Sequence, residues 1–198
     1  MGWPAALVMF HLGMWRERMR NALSDVEGGR SFATPPANID ETNDAELPNG
    51  IGTPLADAAA RSDHLLGEII DLYGRLGDRP FNWYAAANTT EAVLRNSYTH
   101  PRLHLSEYLK ENGLLDTAAA LWVDAEAELQ TAGAPARFVA LVRYNLACIR
   151  VPQGELDDAI KLLADALPAN DVLKAAAPND KDLEPLRDDP RFQELIKT

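Results

Sequence analysis

Cysteine, histidine and basic charge are all scarce in this chain. Cys148 is the only cysteine among 198 residues, which excludes an internal disulfide and any Cys-rich zinc module and fits a reducing compartment. Lys and Arg number 19 against 30 Asp and Glu, giving a formal net charge of −11. Such a balance argues against DNA, RNA or an anionic membrane as the main partner, and most simply serves solubility. No stretch approaches the roughly 20 apolar residues needed to cross a bilayer. The opening Met-Gly-Trp-Pro-Ala-Ala-Leu-Val-Met-Phe lacks a basic start. Its apolar run breaks at His11, and Arg16, Arg18 and Arg20 follow in place of a small-residue cleavage site. A cytoplasmic protein is expected. The chain also offers no phosphate loop, no Ser/His/Asp order and no basic patch.

What remains is helical pattern. Hydrophobic content of 46% in a chain of this length is enough to bury a substantial core. Residues 4 to 24 read as a first helix, with Pro4 suited to its first turn and Leu7, Phe10, Met14 and Leu23 spaced for a buried face. From Ala5 to Trp15 this helix is apolar nearly all round, so it needs neighbours on more than one side. His11 interrupts that run, and an imidazole in such surroundings must be hydrogen-bonded or metal-bound to avoid a desolvation cost of a few kcal/mol. Gly28-Gly29 ends the helix. Residues 28–53, rich in Pro, Asn, Gly and acids, form a connection long enough to be a crossover or a functional flap. Thr53-Pro54 starts a second helix running to Leu76, with Leu55, Ala59, Leu65, Ile69 and Leu72 as its apolar stripe, and Gly77-Asp78 closes it. Phe81-Asn-Trp-Tyr84 reads as an aromatic loop, and Asn88-Thr-Thr-Glu91 as a cap for a third helix over residues 90–112.

That third helix contains the pattern most suggestive of chemistry. His100 and His104 lie four residues apart, so on a helix they project from one face, a turn apart. Two imidazoles so placed can reach one metal ion, since each bond is only about 2.0–2.1 Å long. A further ligand must come from elsewhere, and the remaining histidines are His11 and His64. Pro101 falls between the pair and is expected to kink the helix, or to divide it so that a new segment begins near His100. His64 follows Asp63 and reads more simply as a solvated surface residue. Asn43, Asp44 and Glu17 are conceivable bases but are more simply solvated polar groups. Trp15, Trp83 and Tyr84 can line a pocket, although aromatics so placed more often pack in a core. Cys148 falls at a buried small position rather than at a nucleophile's.

From Gly113 the pattern changes to short Ala-rich helices with an internal repeat. Gly113, Ala118 and Ala125 match Gly154, Ala159 and Ala166: glycine, then alanine five and twelve residues on. Small residues at this spacing let paired helices approach closely, and a repeated unit is the mark of a solenoid. Leu183, Leu186, Phe192 and Leu195 suit a docked terminal cap.

Two family resemblances follow from these motifs. Tyr144-Asn-Leu-Ala-Cys-Ile-Arg-Val-Pro-Gln-Gly-Glu-Leu-Asp-Asp-Ala-Ile-Lys-Leu-Leu-Ala-Asp-Ala166 resembles a tetratricopeptide repeat at Leu146, Ala147, Gly154, Ala159 and Ala166. The tail Pro-Leu-Arg-Asp-Asp-Pro-Arg-Phe is similar to endings found after such repeats. The preceding, degenerate unit would take its first helix from the end of the His104–Asn112 segment. Residues 1–112 resemble the DinB/YfiT-like four-helix-bundle superfamily, through His11-Leu-Gly-Met-Trp15, a long crossover, a helix and a late His-x-x-x-His. The family's first helix has no counterpart here.

The expected fold is therefore all-α: a DinB-like up-down bundle lacking its first helix over residues 1–112, then tetratricopeptide-like hairpins with a capping helix over 113–198. The bundle resemblance implies that His11, His100 and His104 are three ligands of a divalent metal (Zn, Ni, Cu or Fe), with an open position of catalytic type. In some relatives it further implies thiol transfer to an electrophile, or metal-assisted hydrolysis of a small molecule. The missing helix and the all-round apolar character of residues 5–15 lead us to expect either a start further upstream or a second subunit covering the bundle face. Two alternatives stand beside the enzyme. One is a non-enzymatic interaction scaffold that holds a protein or peptide partner on the repeats; the other is a bundle that has lost metal and activity.

Overall fold

The computed structural model describes residues 3–33 and 35–197. Among the described residues the chain is all-α apart from one small two-stranded hairpin. It divides into two compact units, residues 1–104 and 105–198, whereas the sequence pattern changes at 112–113.

In the first unit, α1 (Ala5–Glu27) follows Pro4, whose fixed φ suits the approach to a helix, and ends at Gly28, with Gly29 at φ 67°. It packs along α3 (Leu55–Leu76), where Met19 and Leu23 meet Ile69, Leu72 and Leu76 in one apolar cluster. The buried stripe of α3 runs Ala58, Ser62, Leu65, Ile69, Leu72 and Leu76, alternating steps of four and three as a single helix face requires. Leu55, expected in that stripe, sits in the first turn beyond the seam and is 49% exposed.

The long connection is partly helical. It contains α2 (Ile39–Glu46), capped by the Asn38 side chain, and a tight turn over Leu47–Gly50. Both lie along α1. Leu47 is buried, the Trp15 indole donates to Asn43 Oδ1 at 3.1 Å, and Arg18 pairs with Glu46. A Cβ built at Gly50 would stand 2.5 Å from the Phe10 ring, so only glycine admits that approach. The crossover thus supplies one of the extra neighbours that the apolar N-terminal half of α1 demands; Leu7, Val8, Met9 and Phe10 are half-buried.

The stretch expected as an aromatic loop is a β-hairpin, β1 (Pro80–Trp83) paired antiparallel with β2 (Ala86–Asn88). Phe81 and Trp83 alternate with exposed neighbours and turn inward, which is the strand period of two. Tyr84 and Ala85 form a two-residue turn, and Tyr84 takes φ 53°, a position that normally belongs to glycine. A bulky residue held there stores roughly 1–3 kcal/mol of strain. Thr89, fully buried, pins the hairpin to the end of α3: its Oγ1 donates to Gly77 O at 2.8 Å and accepts from Arg79 N at 3.2 Å.

Asn88 caps α4 (Thr89–Val93) by accepting from Glu91 N at 2.9 Å. The helix then widens into a π turn over Leu94–Thr99 before resuming as α5 (His100–Glu111). Pro101 accounts for this. It has no N–H, and in a regular helix its ring would collide with the carbonyl of residue 97. The π turn places the irregularity just upstream: His100 N–H reaches back five residues to Arg95 O, and Thr99 Oγ1 donates to the same carbonyl at 3.1 Å. Pro101 then occupies the first turn of α5, where a missing N–H does no harm.

In the second unit, α6 (Leu115–Thr131), α7 (Ala136–Arg150) and α8 (Leu156–Ala166) form successive hairpins. The four repeat alanines Ala118, Ala125, Ala159 and Ala166 are all fully buried, and Gly113 and Gly154 turn at φ 72° and 80°. The Trp122 indole, also fully buried, donates to Ser106 Oγ at 2.8 Å. The short helices α9 (Asp171–Ala176) and α10 (Pro190–Ile196) close the core with Leu183, Leu186 and Phe192. Polar contacts fix that segment, since Tyr144 donates to Asp180 and Lys110 to Asp182, each at 2.7 Å. Cys148 is buried beside these carboxylates; burial and their charge push its thiol up, away from the reactive thiolate.

Overpacking the repeat should be costly. Ala159→Leu is expected to lower the unfolding free energy in urea by about 1–3 kcal/mol, while Val172→Ala, at a side chain 70% exposed, should change it by less than about 0.5 kcal/mol. Equal effects would show that the alanine spacing does not set helix approach.

Candidate metal centre

Three histidines from distant parts of the sequence meet inside the first unit. His11 comes from the middle of α1, and His100 and His104 from successive turns of α5. His11 is 3% exposed, and the other two are half-buried. His100 Nε2 lies 3.0 Å from His11 Nε2 and 3.0 Å from His104 Nε2. The ring-nitrogen ligand atoms of all three lie within 4.8 Å of one another. The π turn upstream sets the phase at which His100 and His104 leave the helix, and Asn96 within that turn locks it to α1 by donating to Trp15 O at 3.1 Å.

Hydrogen bonding among the rings does not satisfy this arrangement. A neutral imidazole presents at Nε2 either one N–H or one lone pair. His100 Nε2 therefore cannot make a directed hydrogen bond to both neighbours at once. A cation between them could accept the lone pairs that the rings cannot pair among themselves. With bonds of about 2.0–2.1 Å, nitrogens sharing one ion stand roughly 2.9–3.4 Å apart for bond angles from 90° to tetrahedral. Both 3.0 Å pairs fall in that range.

Electrostatics favour the same protonation state. Burial, then the neighbouring His104, lowers His11 from its ordinary value near 6.5 to about 4. Burial, the other two imidazoles, and the charges of Arg16 and Arg95 lower His100 to about 3. Burial likewise lowers His104. Neutral imidazole is the form that binds metal, so the cluster is held ready as ligand across the neutral range.

The surroundings are aromatic and cationic. Trp3 lies edge-on to His11 at 5.3 Å between ring centroids and stacks on His104 at 6.2 Å. Trp15 meets His11 edge-on at 6.3 Å and Tyr84 at 6.2 Å. Nδ1 of His11 and of His104 has no hydrogen-bond partner among the described residues, so indole packing fixes these rings in place of the carboxylates that often buttress metal-binding histidines. Arg16 is buried and donates to Ser62 O at 3.0 Å and Ser62 Oγ at 2.7 Å, tying α1 to α3.

The other residues considered from sequence fall elsewhere. His64 is 74% exposed in its side chain, with Glu68 at 3.8 Å. Glu17 accepts from Arg61 at 2.8 Å, Asn43 accepts from Trp15, and Asp44 is exposed. Trp15 and Trp83 are core residues, and Tyr84 is half-buried. Trp3, Arg16, Arg95 and Asn96 were not anticipated. Pro101 was the available signal for the last two, because a proline inside a helical pattern forces a local rearrangement upstream. No protein-family model, curated protein or solved structure matches this chain.

The lowered pKa values set a pH dependence. In the unfolded chain these histidines take up protons near pH 6.5, whereas folded His11 and His100 do so only at about 4 and 3. Between those limits the unfolded state binds more protons, so stability rises with pH. The metal-free protein should keep its full stability above about pH 7 and lose it progressively as pH falls from about 6.5. Urea unfolding at pH 7.5 and 5.0 checks this: His100→Leu should show a smaller loss than wild type, and equal losses would contradict the account.

Proposed function

We propose that this chain binds a divalent metal through His11, His100 and His104, and that the centre serves a metal-dependent reaction of a small molecule, thiol transfer or hydrolysis, on a DinB-like bundle. The observation behind this reading is the double 3.0 Å contact at His100 Nε2, which hydrogen bonding alone leaves half unmade. A divalent ion at this position supplies Lewis acidity, which brings the pKa of a water or thiol toward neutrality. The chain's own side chains do the rest. The three imidazoles present lone pairs and stay unprotonated, Trp3 and Trp15 hold the rings and keep bulk water off one side, and Asn96 fixes the register between α1 and the histidine-bearing helix. Three neutral donors suit zinc, nickel, copper or iron, and they leave positions open for substrate. The lone, buried Cys148 and the acidic charge fit a cytoplasmic setting; among the described residues no helix is long and apolar enough to cross a membrane.

The second unit favours a further reading. Its hairpins repeat one packing solution, with four fully buried alanines at matching positions, as expected of tetratricopeptide-like units. On that reading residues 105–198 are an interaction scaffold that holds a protein or peptide partner.

Metal analysis of untagged protein separates these readings. We expect about one ion per chain in wild type, lost in His100→Ala and in His104→Ala. Trace metal that neither substitution changes would leave the scaffold reading alone.

A further inference from the structure

A buried donor set has to be reached. His11 is 3% exposed, so neither an ion nor a substrate meets its Nε2 unless part of the wall around it opens. Much of that wall is tied down by hydrogen bonds. Trp15 lies within α1, and its indole donates to Asn43 Oδ1 at 3.1 Å. Arg16 donates twice to Ser62, and Asn96 donates to Trp15 O.

Trp3 is held differently. It stands outside α1, joined to it through Pro4, and is half-buried. Its ring is edge-on to His11 at 5.3 Å and stacked on His104 at 6.2 Å, so one indole covers two of the three imidazoles. That indole makes no hydrogen bond among the described residues; ring packing alone keeps it there. Pro4 restricts the backbone of the residue before it to extended forms, so the motion open to Trp3 is rotation of its side chain. Two ring contacts of ordinary strength make the swung-out form rarer than the closed one by roughly tenfold to a hundredfold. Such a ratio keeps the centre closed at rest and still admits a ligand.

We propose that Trp3 is a gate over the histidine centre: rotation of its indole controls access to the ring nitrogens of His11 and His104, and with it the entry and release of the ion. The role in metal exchange rests on the metal reading above; the covering of the two imidazoles does not.

Acylation of the metal-free full chain by diethyl pyrocarbonate at pH 7.5, read residue by residue from peptide masses, tests the gate without an ion. His64, 74% exposed in its side chain, is the reference in the same sample. Trp3→Ala should raise the rates at His11 and His104, relative to His64, at least about tenfold, the lower end of the closed-to-open ratio. Ile70→Ala, at a residue 56% exposed on α3, should leave both rates unchanged. Urea below the unfolding transition should not alter them either, because a side-chain rotation exposes little surface. Zinc-loaded Trp3→Ala should release its ion to excess EDTA at least about tenfold faster than wild type, at equal zinc stoichiometry. If zinc does not bind but the acylation result holds, the metal reading fails and the gate over the histidines stands. Rates at His11 and His104 that Trp3→Ala leaves unaltered, or that rise with urea as global unfolding does, overturn the proposal. Zinc release no faster than in wild type overturns it as well.

Discussion

A helix that contains Pro101 must give up a backbone hydrogen bond, and where it does so decides which side chains face α1. The π turn over Leu94–Thr99 absorbs the irregularity before the proline arrives. It adds a residue to one turn, rotates everything downstream, and lets His100 and His104 leave a regular helix on one face. The same turn buries Asn96 against the backbone of α1 and sets Arg95 beside Tyr84. A proline that first looks like an obstacle to a histidine pair is thus tied to the geometry that brings the pair to His11.

The consequences run through the first unit. Three imidazoles in mutual contact are costly if charged, because burial and like-charge repulsion both act against protonation. They are also unsatisfied if merely neutral, since single donors and acceptors cannot pair three ways. The polar seam formed by Arg16, Ser62 and Asn96 keeps α1 in register with its neighbours. The crossover, through Leu47, Asn43 and Gly50, covers part of the apolar N-terminal half of α1. Packing of this kind is specific enough to hold a centre whose outer support is indole rather than carboxylate.

Much of this is legible in the amino-acid sequence. The alanine repeat announced itself by spacing alone, since only a close helix pair needs four small residues at those positions. The caps at Asn88 and Gly77, the end of α1 at Gly28 and the stripe through Leu65, Ile69 and Leu72 were equally plain, because local chemistry dictates them. The histidines could be named from their order, although order says nothing of distance. What could not be read was tertiary in origin. The hairpin over Pro80–Asn88 escaped notice because an alternation over so few residues is weak beside an aromatic cluster. The helix in the crossover has no buried residue to mark it. Trp3 and Arg16 acquire their roles only from what packs beside them.

The central claim is that one ion sits among imidazoles from α1 and α5. X-ray absorption at the zinc edge of zinc-loaded protein tests it most directly. The account predicts imidazole scattering from three rings, with nitrogens at about 2.0–2.1 Å. A first shell of oxygen alone, or one with no more than a single imidazole, would contradict it.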